Sequence, residues 1–343
     1  MNANHPTDVS AEETSAASTT RGGETAPRVE RVPVSVVVPV RDEEASVASL
    51  VEALKGQTYR PAEVVIVNGG SVDRTAEVVR ALTAGDERFR LLEAAAGTPG
   101  RNRNLGAEAA AHEWLAFTDA GTRPVAEWLE ELVRAAEADA GAQVVYGNYE
   151  PVVGSYFERC AALAYPPPKV LRPGGKMTRG PSTASMMMRR EVWQTLGGFP
   201  DLRAAEDLIF MSRVSAAGFE VAWAPGATVW WQMQPGLART FRRFVLYSKH
   251  NVRAGRQWDW HYGVARQYAV AAVFVLLGIV HSPWWLAGLP LWLGARVFKS
   301  VWRRREGRGL LWALNPAQLA GVAVILLAID AATFVGWAQA KLK

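Results

Sequence analysis

One aspartate, Asp119, ends an apolar run in the stretch LAFTDAGTRP, after which the chain turns through Ala120 and Gly121. A lone carboxylate at the end of a buried strand is costly unless something pairs with it. A second carboxylate site is the pair Glu206-Asp207 in AEDLIF, at the predicted start of a helix. The helix dipole alone accounts for acidic residues there, and so does acid–base chemistry.

These carboxylates belong to a chain in which strand and helix patterns alternate. Apolar β-branched runs, each followed by a helical pattern, recur roughly every 25 to 30 residues, which is the rhythm of βαβ units in an α/β sheet. The runs are VPVSVVVPV, EVVIVNGG, RFRLLEA and EWLAFTD. The helical pattern after the first run, RDEEASVASLVEALKGQ, carries acidic residues in its predicted first turn.

Ligands of such sheets bind where strands end and the chain turns into the next helix. The strand ends here carry PVRDEE, VNGGSVD and TDAGTRP. A dinucleotide-binding Rossmann domain would show G-x-G-x-x-G after the first strand, and this chain has Pro39, Arg41 and Glu43 there. The pattern therefore argues against hydride transfer.

Five ordered motifs resemble the family-2 glycosyltransferases of the GT-A fold. They are VSVVVPVRDEEASV, VVIVNGGSVDRT, RNLGAEAAA, LAFTDAGTRP and AEDLIF, and the resemblance covers about residues 34 to 250. It implies a Rossmann-like nucleotide-diphospho-sugar transferase domain that moves a sugar from a nucleotide-diphosphate donor to an acceptor. The residues that it places at the nucleotide sugar are Pro39, Arg41, Glu43, Asn68, Gly70, Arg103, Asn104 and Asp119.

Two of these motifs depart from the family pattern. The family usually has two aspartates, or Asp-Gly, before Gly-Ser, whereas this chain has Asn68 and Gly69. An amide oxygen still accepts from a uracil N–H, so the departure puts the identity of the base in doubt. Asp119 stands at the first position of the family's DxD motif, and Gly121 replaces the second aspartate. The resemblance implies a divalent cation, Mg²⁺ or Mn²⁺, at Asp119, with weaker metal dependence than in a full DxD enzyme.

The resemblance also assigns roles on the acceptor side. The family's catalytic base is the aspartate of the Glu-Asp pair, which gives Asp207 the proton transfer and places Glu206 beside it. The Pro- and Gly-rich segment PPPKVLRPGGKMTRGPS predicts a loop over the active site that brings Lys176 or Arg179 to the diphosphate. Processive polysaccharide synthases of the family carry Gln-x-x-Arg-Trp after the catalytic helix, and its lack here favours transfer of one or a few sugars.

The remaining parts of the chain predict a membrane protein. Residues 1–31 are rich in Ser, Thr, Ala and Glu and predict a disordered tail, and residues 32–236 form the predicted catalytic domain. Residues 237–262 alternate aromatic and basic side chains, as a helix at a membrane interface does, and 263–343 form the predicted transmembrane region. Basic residues border the apolar runs and no base-reading module occurs, which favours membrane lipid over nucleic acid as a partner.

The number of spans depends on charge. No charged residue occurs from Tyr268 to Ala295, and this run is a single tilted span or a hairpin broken at HSPWW. A hairpin returns Arg303, Arg304 and Arg305 to the side of the catalytic domain, in keeping with the positive-inside tendency. With the final apolar segment, in which Asp330 is the only charge, three spans are predicted, with two as the alternative.

We therefore expect an inverting glycosyltransferase of the inner (plasma) membrane with its catalytic domain in the cytoplasm and a lipid-linked or glycan acceptor. Asn68 and Gly121 leave open a decayed enzyme that serves as a membrane scaffold. A sugar nucleotidyltransferase shares the α/β layout and the metal chemistry, although AEDLIF argues against it.

Overall fold

Eight strands form one mixed sheet in the computed structural model, which describes residues 32–172 and 175–342. The strand order is β3-β2-β1-β4-β9-β6-β10-β5, and β7 pairs with β8 in a separate hairpin. The strands are β1 Val34–Val40, β2 Glu63–Asn68, β3 Phe89–Glu93, β4 Trp114–Phe117, β5 Thr122–Pro124, β6 Val144–Val152, β7 Val170–Leu171, β8 Met177–Thr178, β9 Met186–Arg189 and β10 Val221–Gln232.

Helices cover the sheet and continue beyond it. Those of the first two thirds of the chain are α1 Val47–Lys55, α2 Thr75–Thr83, α3 Pro99–Ala109, α4 Trp128–Ala138, α5 Tyr156–Ala164, α6 Arg190–Thr195 and α7 Glu206–Ala217. The others are α8 Leu237–Arg253, α9 Gln257–Val280, α10 Gly288–Arg303, α11 Leu310–Ala313 and α12 Pro316–Lys341, with 3₁₀ turns at Thr183–Ser185 and Pro283–Ala287. Residues Pro33–Lys343 form one compact unit, and the predicted tail of residues 1–31 lies outside the described residues.

The predicted α/β rhythm is confirmed. Strands β3, β2, β1 and β4 run parallel, so their carboxyl ends lie at one edge of the sheet. Strands β1 and β2 are buried almost throughout, as their β-branched runs predict. Helix α3 lies close against them, because Gly106 leaves no room for a side chain beside Val37 and Val67.

The acidic stretch after β1 differs from its prediction. Helix α1 begins only at Val47, so Asp42, Glu43 and Glu44 lie in the preceding loop and not in its first turn. Asp42 has a left-handed backbone, with φ of 54°. The reason lies in the neighbouring loop, whose backbone N–H groups and hydroxyls bind this acidic segment in place of the end of α1.

The C-terminal helices pack on the catalytic domain through α5. Cys160 of α5 is buried and packs among apolar residues of α10 and α12. The close approach of α12 depends on Gly321, where a Cβ would lie 2.5 Å from the Cys160 sulfur. Along α12, Gly336 likewise allows contact with the backbone of Val245 in α8.

Two of these helices are long and apolar enough to cross a membrane, α9 with 24 residues and α12 with 26. The chain breaks after α9 at Ser282, where a hairpin was predicted. The returning helix α10 has 16 residues and carries Arg296 and Lys299, so it does not meet the same criterion. Asp330, the one charge predicted within the last span, forms a bidentate ion pair with Arg296.

Candidate active site

The loops that follow β1 and β2 are joined by reciprocal hydrogen bonds. Asp42 donates its backbone N–H to Ser71 at 3.0 Å and accepts the N–H of Val72 at 2.8 Å. The backbone N–H of Glu43 donates to the Thr75 hydroxyl at 2.8 Å. Sequence motifs far apart in the chain thus form one wall at the carboxyl edge of the sheet, where open α/β sheets bind their ligands.

Four of the predicted nucleotide residues lie at this wall. Pro39 pairs in register with Val67 near the end of β1, and Arg41 donates to the Gly97 carbonyl at 3.5 Å. Glu43 is half-buried and its carboxylate accepts from Ser46. Gly70 has φ of 75° and lies against the backbone of Ala96, a turn that favours glycine.

Asn68 is buried in the wall and contacts its neighbours through both ends of its amide. Its oxygen accepts the N–H and the hydroxyl of Ser71, at 3.1 and 2.6 Å. Its amide nitrogen donates to Glu93 at 2.7 Å. Asn68 therefore shapes the loop, and its predicted contact with the base stays a prediction.

The buried partner of the Asp119 carboxylate is Arg103. From the first turns of α3 its guanidinium donates to the Asp119 carboxylate at 2.6 Å and to Glu206 at 2.8 Å. The Arg103 side chain is 5% exposed, and the neighbouring acids hold its pKa above the ordinary value although burial opposes this. The guanidinium thus links the two carboxylate sites, and the predicted contact of Arg103 with the pyrophosphate stays a prediction.

Glu206 and Asp207 begin α7 and have different surroundings. Glu206 is 7% exposed and bound by Arg103, and its predicted catalytic role stays a prediction. Asp207 is half-buried, and one of its oxygens accepts the N–H of Leu208 at 2.8 Å. Burial raises the pKa of both carboxyl groups despite the nearby Arg103. Ala205, just before them, has a left-handed backbone with φ of 71°.

Asn104 connects α3 to α6 and to the segment after it. Its side-chain oxygen accepts from the backbone of Phe199 at 2.8 Å and from the Trp193 indole at 3.0 Å, and its nitrogen donates to the Phe199 carbonyl. Asn104 therefore holds these elements against α3, and its predicted contact with the nucleotide stays a prediction.

Lys176 and Arg179, the two loop residues predicted to reach the diphosphate, differ in exposure. Arg179 is buried, with its guanidinium bound to Glu150 at 3.0 Å and to the Pro167 and Tyr149 carbonyls. It is therefore not available to a diphosphate in this arrangement. Lys176 is exposed and has no such partner among the described residues.

Sequence reasoning missed one cation beside the site. Arg243, in the second turn of α8, donates its Nε to the Tyr247 hydroxyl at 2.6 Å, and its terminal nitrogens have no acceptor among the described residues. Burial lowers the pKa of Arg243, but Tyr247, Tyr165 and Glu43 outweigh that effect and raise it. The signal was present in the alternating basic and aromatic residues of this helix, which were interpreted as a membrane interface.

At this site the carboxylate of Asp119 is the predicted protein ligand of a divalent cation. No group of three or more His, Cys, Asp or Glu side chains that could hold a metal occurs in residues 32–172 and 175–342. One oxygen of Asp119 is bound by Arg103, and the side chain is 35% exposed. The residues fit a cation that takes the second oxygen of Asp119 together with phosphate and water oxygens, and do not fit a metal held by protein alone.

The family model of glycosyl transferase family 2 matches residues 35–197. The chain is 30% identical over 260 residues to glycosyltransferase AglE of Haloferax volcanii, covering 73% of this chain and 82% of that protein. It is 27% identical over 289 residues to the succinoglycan biosynthesis protein ExoA of Rhizobium meliloti, covering 78% and 84%. A mannosyltransferase of Pyrobaculum calidifontis, solved with GDP-Man and Mn²⁺, shares the fold with a TM-score of 0.52 at 21% identity, covering 91% of this chain and 90% of its own.

The relative from Haloferax volcanii extends across most of both chains, and the family model covers the strands that carry the candidate site. The GT-A fold expected from the motifs is confirmed. This chain is a glycosyltransferase of family 2.

Proposed function

We propose that the enzyme transfers a sugar from a nucleotide-diphosphate sugar to a hydroxyl of a lipid-linked or glycan acceptor, with inversion at the anomeric carbon. The observation that carries this proposal is the separation of roles around Arg103. Asp119 lies on one side of the guanidinium and Glu206-Asp207 on the other. A donor site and an acceptor site held by one buried cation suit a reaction between two bound substrates.

Asp207 is the proposed base. Its Oδ1 accepts from the backbone of Leu208, and no described residue donates to its Oδ2. That oxygen takes the proton of the acceptor hydroxyl as the hydroxyl oxygen forms its bond to the anomeric carbon and the bond to the diphosphate breaks. Burial raises the pKa of Asp207, which strengthens the carboxylate as a base.

The departing diphosphate needs positive charge. Arg41, at the joined loops, and Arg243, with free terminal nitrogens, supply it in our proposal. Asp119 would hold Mg²⁺ or Mn²⁺ through its second oxygen, and the cation would neutralise charge on the leaving group. We place Arg103 behind these groups, where it orients Asp119.

Helix α9 supports the membrane part of the proposal. Only 11% of the most apolar stretch of this helix is buried within the protein, whereas the core helix of a soluble protein is mostly buried. Aromatic side chains lie at both ends of the helix, with Trp258 and Tyr262 exposed near its start and Trp284 and Trp285 just after its end. This placement is typical of the two interfaces of a bilayer.

The arginine loop at the end of α10 supports a hairpin. Arg304 donates to the Pro166 carbonyl at 2.7 Å, and Glu306 pairs with Lys169 at 3.2 Å. These contacts keep the loop beside the catalytic domain, on the cytoplasmic face in our proposal. Only Arg303 of the three arginines is exposed there, since Arg305 stacks on Trp302. Fewer basic groups than predicted are thus free to meet anionic lipid.

The test uses the full chain in lipid nanodiscs with a panel of nucleotide sugars. We expect one or more donors to be hydrolysed or transferred with release of a nucleoside diphosphate, and inverted product configuration by NMR. Release of pyrophosphate would identify a nucleotidyltransferase. Nucleotide binding without turnover would favour the decayed scaffold.

A further inference from the structure

Asn102, one turn before Gly106 in α3, is a buried amide that the proposed mechanism does not use. It is 2% exposed, and its Oδ1 has no hydrogen-bond partner in the described part of the chain. Buried acceptors without partners are rare in folded proteins, because leaving one unpaired costs free energy. Its neighbour Asn104, on the same helix, has a protein partner at each end of its amide.

The Asn102 amide packs against two glycines. A Cβ at Gly69 would lie 2.0 Å from its Nδ2, and a Cβ at Gly97 would lie 2.9 Å from its Oδ1. The Asn102 amide thus occupies the space that a side chain at position 69 would take, at the end of β2. Because both residues are glycines, no side chain of residue 69 or 97 shields the unpaired amide at this edge of the sheet.

Two other polar residues, Asn68 and Arg41, lie beside these glycines. Asn68, at the same strand end, has both ends of its amide engaged with Ser71 and Glu93. Arg41 reaches Gly97 from the loop after β1, so its guanidinium and the unpaired amide lie at the same glycine. A diphosphate bound at Arg41 would lie beside Gly97.

We propose that Asn102 reads the base of the donor nucleotide, in place of the missing acidic side chain at position 69. Its Oδ1 accepts the ring N–H of a uracil, thymine or guanine base, and its Nδ2 donates to an adjacent base carbonyl. Cytosine and adenine have no ring N–H at that edge. The inference rests on the proposed function, and it specifies the class of donor nucleotide.

The test measures binding of UDP, GDP, CDP, ADP and pyrophosphate to the full chain in nanodiscs. For the wild type we expect UDP or GDP to bind more tightly than CDP and ADP. Asn102→Ala should weaken binding of that preferred nucleotide at least about tenfold and leave binding of pyrophosphate unchanged, since the two hydrogen bonds to the base are lost. Gly97→Ala, which fills the space before Oδ1, should have the same effect, and Gly56→Ala, whose nearest neighbour is 3.4 Å away, should have none.

Thermal unfolding of the apo protein separates base reading from a structural role. Asn102→Ala removes an unpaired buried amide and should leave Tm unchanged or higher, whereas Asn104→Ala should lower Tm and keep the order of nucleotide affinities. An unchanged order of affinities in Asn102→Ala, or tightest binding of ADP or CDP to the wild type, would overturn this inference alone. If no nucleoside diphosphate binds the wild type better than pyrophosphate, the proposed function fails together with it.

Discussion

Replacing Arg103 by methionine tests the link between the two carboxylate sites. The pair with Glu206 is buried on both sides, at 5% and 7% exposure, and breaking such a pair commonly costs about 3–5 kcal/mol. The pair with Asp119 adds less, about 1 kcal/mol or below, because Asp119 is 35% exposed and screened by water. For a catalytic domain of roughly 200 residues, the main loss corresponds to a fall in Tm of roughly 6–20 °C.

The loss should depend on pH, with a sign set by Glu206. Burial already raises the pKa of Glu206, and removal of Arg103 raises it further. The folded variant then binds a proton more tightly than the unfolded chain does, so its stability is greatest below the unfolded pKa and falls as the pH rises through the folded pKa. We therefore expect Arg103→Met to lose more Tm at pH 8 than at pH 5.5.

The assay is thermal unfolding in nanodiscs, followed by tryptophan fluorescence at both pH values. The double variant Arg103→Met/Glu206→Gln removes the unpaired charge and should recover part of the Tm at pH 8, while activity stays low because Asp119 has lost its orienting partner. A wild-type Tm for Arg103→Met at pH 8, or no recovery in the double variant, would refute the assignment of a buried link.

Three further predictions concern catalysis and topology. Asp207→Asn should lower turnover about 100- to 10,000-fold and spare donor binding, and near-normal turnover would remove Asp207 from the role of base. Because burial raises the pKa of Asp207, acidification should reduce the wild-type rate at a higher pH than it would with an ordinary aspartate as the base. Asp119→Ala should weaken donor binding together with any Mg²⁺ or Mn²⁺ requirement, and full wild-type activity in excess chelator would contradict the metal assignment. Ser282→Cys should react with an impermeant maleimide on intact cells and Arg308→Cys should not, with Cys160 buried and silent; labelling at 308 alone would reject the hairpin topology.

The sequence predicted the sheet and the order of the site more accurately than the partner of each side chain. Strand patterns and turn motifs are local, so β1, β2 and β4 lie near their predicted bounds, with the motif residues at the carboxyl edge. Hydrogen-bond partners are set by packing between distant segments. Arg103 and Asn104 belong to one motif, and their partners Asp119, Glu206 and Phe199 come from distant parts of the chain.

The C-terminal helices show the same limit. Hydropathy located the helix break at Ser282, but it could not show that Arg304 turns back to the catalytic domain or that Arg296 pairs with Asp330. Charge patterns assume that basic side chains face solvent or lipid, whereas long arginine side chains also reach backbone carbonyls of neighbouring elements. A ligand contact from α8 was not predicted for a related reason. Its alternating basic and aromatic residues fit a membrane interface and a ligand site equally well.

Because of the contacts of Arg304 and Glu306, the C-terminal helices and the catalytic domain are not independent modules. A tether could be exchanged for another hydrophobic anchor of similar length, but this loop contributes hydrogen bonds to the segment around Pro166 and Lys169. A truncated catalytic domain would lack those partners, and a chimera would supply them only by chance. The C-terminal helices are thus a fitted part of the transferase, joined to its catalytic domain by specific contacts.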